Sequence, residues 1–167
     1  MSKTVIRIAE LSLASALACG LATSANAQLV THKDLSLAMA VTMAQTAIAT
    51  CKANGYNVSA HVLGREGQVI VALRNEGAGL ATWENSMKKA YTARTFGRTS
   101  GDFANGVKGN PNAGALWLTN IVAAQGALPI KIGNETIGAI GISGAPGGDK
   151  DEACAKAGID KVAADLK

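Results

Sequence analysis

Apolar and polar positions along this chain change period several times, and each change predicts an element. Leu35, Ala38, Met39, Thr42, Met43, Thr46 and Ala47 recur at helical spacing. They predict a first helix, capped by Thr31 or Asp34, running to about Lys52 and stopped by Gly55. From Asn57 the period falls to two, with Val58, Ala60 and Val62 alternating with Ser59, His61 and Leu63. With Gly64–Gly67 as the turn and Val69–Leu73 as the return, this stretch predicts a hairpin. Thr82 is placed to cap a second helix, Trp83–Phe96, which Gly97 closes and whose apolar stripe is Trp83, Met87, Ala90 and Tyr91. The polar stretch after it has room for one helical turn around Phe103–Val107.

The C-terminal third predicts three short strands, "LWLTNIV", "LPIKIG" and "ETIGAIGIS", with Gly133-Asn134 as a tight turn between the last two. A final helix starts at Asp149, with Glu152 three residues on as in a capping box, and carries Ala153, Cys154, Ala157 and Val162 inward. The expected fold class is therefore α+β, a five-stranded antiparallel sheet with flanking helices.

The glycines at Gly138, Gly141, Gly144 and Gly147 fall at every third position before that helix. A phosphate-binding P-loop requires a lysine followed by Ser or Thr, and a dinucleotide fingerprint requires G-x-G-x-x-G inside a βαβ unit. Neither is present. Gly138 and Gly141 lie on opposite faces of a strand, so the pattern predicts close approach of neighbours on both faces, then a turn.

The first 27 residues change the picture of the whole. Lys3 and Arg7, the apolar run Leu11–Ala22 and Ala25-Asn26-Ala27 form the three parts of a secretory leader. Cleavage before Gln28 would leave one domain, residues 28–167, in a periplasmic or secreted setting. The leader holds Lys3, Arg7 and Glu10, so its loss takes the net charge from +4 to +3. That balance, with no basic run interleaved with aromatics, argues against a nucleic-acid surface. The remaining cysteines, Cys51 and Cys154, are an even pair, either a disulfide or two buried thiols.

Two longer segments carry a resemblance. "KAYTARTF" (Lys89–Phe96) and the run from Leu128 to Gly158, with "LRNEGAG" (Leu73–Gly79), resemble the GlcG/HbpS-type family of small haem-binding proteins. The resemblance covers the chain after the leader. It implies a profilin- or PAS-like sheet with flanking helices, assembly into a homo-oligomer, and haem as the cofactor. Ala127 departs from the family's Gly-Gly-x-Pro-Ile segment, Glu76 replaces an aspartate, and Gly64 stands where an acidic residue is common.

By the same resemblance Thr92 is the candidate contact to the haem iron. His61 and His32 are better iron ligands by residue type. Alternation puts His61 on the strand face opposite Val58, Ala60 and Val62, in a surface groove or oligomer contact, or simply hydrogen-bonded within the strand. Lys88, Arg94 and Arg98 supply cations for the haem's acid groups, or a solvated face. No nucleophile stands with its base, so no catalytic residue is assigned. The expectation is an exported haem-binding protein for sequestration or sensing. The alternatives are a partner-binding module of a sensory or catabolic system and a weak haem-degrading enzyme.

Overall fold

The computed structural model describes residues 28–110 and 112–167; the expected leader, residues 1–27, lies outside the described residues. Lys33–Lys167 forms one compact unit. In chain order the compact unit contains α1 (Leu37–Ala53), β1 (Ser59–Leu63), β2 (Val69–Arg74), α2 (Leu80–Phe96), α3 (Ser100–Val107), β3 (Ala127–Ile132), β4 (Glu135–Ser143) and α4 (Gly148–Val162). The strands pair antiparallel in the order β2-β1-β4-β3.

The sheet lies between two helical layers. On one face Val58, Ala60, Val62, Ile130, Ile140 and Ile142 pack with Met43, Ala44 and Ala47 of α1 and Cys154 and Ala155 of α4. On the other, Leu63, Ala127 and Ala139 pack with Ala90 and Ala93 of α2. Every residue of β1 is therefore buried, where the sequence alternation predicted one open face. A disulfide joins Cys51 of α1 to Cys154 of α4, with Cα atoms 5.6 Å apart.

The α+β class and antiparallel pairing agree with the sequence reading, but among the described residues the sheet has four strands, not five. "LWLTNIV" is no strand. Gly114–Trp117 forms a 3-10 turn, and Trp117 and Leu118 are both exposed, so strand alternation is absent. Its backbone donors go elsewhere: Ile121 N–H to the Leu118 carbonyl, and Val122 N–H to the Thr92 hydroxyl. A segment whose donors are taken by a turn and a helix has none left for a ladder.

Helix ends also differ. Ser36, not Thr31 or Asp34, caps α1 by accepting the Met39 N–H, and Asp34 instead accepts the N–H groups of Leu35 and Arg65. Gly79 precedes α2, and Thr82 sits inside the first turn, bonded back to the Gly79 carbonyl and across to Ser59. At α4 the inward residues are Asp151, Cys154, Ala155, Gly158 and Val162; Ala153 faces solvent, and no side chain caps the helix. Gly97 closes α2 with φ 62°, and Gly133-Asn134 joins β3 to β4, both as the sequence predicts.

The glycine pattern reports crowding on both faces. A methyl group at Gly138 would lie 2.5 Å from the Leu63 carbonyl oxygen, and one at Gly141 would lie 2.2 Å from that of Ser86. Gly141 thus lets α2 settle directly onto β4, which fixes the helix that carries most of the candidate residues.

Candidate functional site

Ser86, Lys89, Ala90, Thr92 and Ala93 form the buried side of α2. The expected stripe of Trp83, Met87, Ala90 and Tyr91 is therefore not the packed face. Ala90 is buried, but Trp83 is 43% exposed, and Met87 and Tyr91 are half-buried. Leu80, one turn before Trp83, is 86% exposed. Close packing of a helix on a sheet at glycine favours small side chains at the contact, so the large ones sit at its margins, Tyr91 against the core edge and Trp83 against His61.

His61 sits on β1 opposite Gly141, where α2 approaches closest. It is 2% exposed, which corrects the surface or oligomer-contact expectation. Its Nδ1 is 2.8 Å from the Ser86 hydroxyl, and the Trp83 ring packs edge-on at a centroid distance of 4.6 Å. The Ser86 hydroxyl donates to the Trp83 carbonyl at 3.0 Å. Burial pushes the His61 pKa down to about 4, so the ring is neutral at pH 7.

Thr92 is fully buried. Its hydroxyl donates to the Lys88 carbonyl at 2.8 Å and accepts the Val122 N–H at 3.0 Å. It ties the 118–122 loop to α2, and iron reaches it only if that loop is displaced. His32 is exposed and precedes the compact unit in the chain.

The three cations divide clearly. Lys88 pairs with Glu84 at 2.6 Å, and the Arg98 guanidinium lies 5.5 Å from the Phe103 ring centroid and 5.9 Å from that of Phe96. Arg94 Nε is buried and has no hydrogen-bond partner among the described residues. Two concavities flank α2. One, about 280 Å³, is lined by Ala81, Glu84, Asn85, Lys88 and Val122. The other, about 150 Å³, is lined by Arg65, Glu66, Gly67, Tyr91, Arg94 and Thr95. Both fall below the range of roughly 300–1,000 Å³ usual for enclosed small-molecule sites.

Two residues of the recognisable segments serve the fold instead. Lys89, at the start of "KAYTARTF", makes a buried ion pair of 2.8 Å with Asp151 and also donates to the Ile142 carbonyl. Asp151 Oδ1 accepts the Ala145 N–H at 3.0 Å. Burial raises the Asp151 pKa, against the pull of Lys89. Sequence reasoning missed this pair because its members stand 62 positions apart. It also missed Ser86 and Arg65, which carry no motif of their own.

A family model described as "Haem degrading protein HbpS-like" matches residues 35–160. The chain belongs to the HbpS-like family. A relative described as an uncharacterized 15.0 kDa protein in the dhaT-dhaS intergenic region of Citrobacter freundii is 30% identical over 113 residues, 66% of this chain and 80% of that protein. Among solved HbpS-like structures, a double mutant of Streptomyces reticuli HbpS superposes with a TM-score of 0.75 at 29% identity, covering 79% of this chain and 89% of that one. PduOC, solved as a haem complex, matches with a TM-score of 0.70 over 76% of this chain and 94% of that one; at 21% identity it shows the fold alone.

Measured against haem, the HbpS-like chain fits in part. An apolar stripe on α2 and the orphaned Arg94 Nε suit a planar ring that carries acid groups. Neither Thr92 nor His61 lies open to iron: Thr92 is fully buried with its hydroxyl bonded, and the His61 ring is 2% exposed and packed against Trp83.

Proposed function

We propose that this protein binds haem or a closely related tetrapyrrole against the outer face of α2, for sequestration or sensing outside the cytoplasm. The observation that carries the reading is the apolar stripe of α2, Leu80, Trp83, Met87 and Tyr91 at i, i+3, i+7 and i+11, whose first two members are 86% and 43% exposed while Met87 and Tyr91 are half-buried. Leu80 and Trp83, left partly in water on a helix that has a buried side, mark a contact surface. The bound ring would supply iron chemistry. The chain's own residues would bury the ring's face, place cations near its acid groups, and exclude water on one side. The HbpS-like family description and the haem complex of PduOC support the choice of ligand. The leader pattern and the Cys51–Cys154 disulfide support export, because disulfides persist in oxidising compartments.

The test is a haemin titration of the purified protein, followed by absorbance, with Trp83→Ser and Leu80→Ser beside the wild type. A saturable Soret shift that both variants weaken is the expected result. A featureless, non-saturating spectrum overturns the reading, and binding that neither variant changes moves the ring off α2. Cell fractionation tests export separately.

A second reading, assembly with further copies or with a partner protein, has its own observation. Trp117 and Leu118 are 79% and 54% exposed in the loop after α3. Sedimentation of Trp117→Glu beside the wild type tests it: a fall in mass supports assembly through this loop, and a wild type that is already monomeric refutes it.

A further inference from the structure

The smaller cavity, between the hairpin turn and the C-terminal half of α2, is lined mainly by polar side chains and shares only Tyr91 with the apolar stripe. Arg94 brings a guanidinium whose Nε is buried and unpartnered among the described residues. A buried donor left unpaired is costly, more so when the group is charged, so natural proteins keep few of them without a purpose. Arg65 stands across the cavity, held by the Lys33 carbonyl through Nε and by the Glu135 carboxylate through Nη2. Tyr91 reaches the same wall because Gly67 has no side chain: a methyl group there would lie 3.2 Å from the Tyr91 ring, and φ is +77°. Thr95 adds a hydroxyl.

We propose that this cavity is a binding subsite for a single carboxylate group, with Arg94 as its principal contact. A guanidinium donates along two parallel N–H directions that match the two oxygens of a carboxylate. The volume of about 150 Å³ is room for about five waters at roughly 30 Å³ each, enough for a carboxylate with a short chain. Glu66 lines the rim. Its charge, with Glu135 already set against Arg65, opposes a second negative charge on the ligand, so a monocarboxylate is preferred over a phosphate dianion. The carboxylate has two sources, a free small acid or the acid arm of a tetrapyrrole lying on α2. The subsite itself does not rest on haem binding.

The experiment has two arms. In the first, sodium acetate and inorganic phosphate are titrated at matched ionic strength, with the backbone amide signals of Gly67 and Thr95 followed by NMR. The expected result is a saturable shift with acetate, absent in Arg94→Gln, retained in Lys131→Gln, and roughly tenfold or more weaker for phosphate. In the second, haemin is compared with its dimethyl ester on the wild type, Arg94→Gln and Arg94→Lys, whose unchanged thermal unfolding confirms the fold. A tetrapyrrole source predicts that esterification and Arg94→Gln weaken binding by similar factors. A free-acid source predicts an acetate response with haemin indifferent to both. An acetate response without any haemin binding supports the subsite and sinks the haem reading. Haemin binding that ignores Arg94 and the esters, with no acetate response, overturns the subsite alone. Equal affinity for phosphate overturns its restriction to monocarboxylates.

Discussion

Lowering the pH from 7 to 5 should destabilise this protein through His61, and the size of the effect follows from its burial. In the fold the imidazole is 2% exposed, bonded to Ser86 and covered by Trp83, with a pKa of about 4 in place of 6.5. A folded-state value below the unfolded one means that the unfolded chain binds the proton first. Stability from this group is therefore intact above about 6.5 and is lost as pH falls towards about 4. At 1.36 kcal/mol per pKa unit the full window is worth at most roughly 3 kcal/mol, and the step from pH 7 to 5 about 2 kcal/mol. Asp151 contributes with the opposite sign. Its pKa is raised by burial, so its stabilising contribution is complete below the unfolded value and is lost as pH rises through the folded one. The wild-type profile alone is then ambiguous, and the difference from His61→Gln is diagnostic. Urea unfolding at pH 7 and pH 5 should show a loss about 2 kcal/mol larger in the wild type than in the variant. NMR of the imidazole should give a midpoint near 4. A midpoint near 6.5, or equal losses in the two proteins, would refute the placement of His61 as a neutral core residue and return it to the surface as an iron ligand.

Three further outcomes follow from the packing. Lys89→Met or Asp151→Asn should each cost about 3–5 kcal/mol in chemical denaturation by stranding a buried charge or its partner, while Lys89→Met with Asp151→Leu recovers most of the loss; equal losses in single and double variants would show that the pair is not the source. Gly141→Ala should destabilise by about 1–3 kcal/mol because its methyl group meets the Ser86 carbonyl of a packed helix, whereas Gly114→Ala, with open space around it, should stay within about 0.5 kcal/mol. Replacing Cys51 and Cys154 together by Ala should cost about 2–5 kcal/mol, since the bond closes a separation of 103 residues in the unfolded chain; an unchanged urea midpoint under reducing and oxidising conditions would argue against the bridge.

Local chemistry was legible in the sequence wherever it decides structure alone. The period of the apolar residues located the four strands of the described residues, Gly97 ended α2, and Gly133-Asn134 set the last hairpin. The three-residue glycine spacing predicted close approach on both faces of β4, because strand parity alone puts Gly138 and Gly141 on opposite sides. The family resemblance was carried by contiguous segments, and the HbpS-like match spans residues 35–160.

What the sequence left open was decided by what packs on what. Alternation in β1 looked like a strand with one open face, yet α2 covers that face, and His61 became a buried partner of Ser86. Thr92 looked like a ligand because of its motif, but its hydroxyl is spent on Val122, a residue 30 positions away. The fifth strand failed for a related reason, its donors having been taken by a turn and by that same helix. Lys88, Arg94 and Arg98 are three cations on the page of the sequence. The four-residue spacing from Glu84 already pairs the first on a helix, as the fold confirms, but only the fold lays the third over Phe103 and leaves Arg94 Nε without a partner. Periodicity reads which side of an element is apolar. Whether that side is covered, and which polar atom is left over, depends on contacts between residues far apart in the chain, and these exist only once the layers have closed.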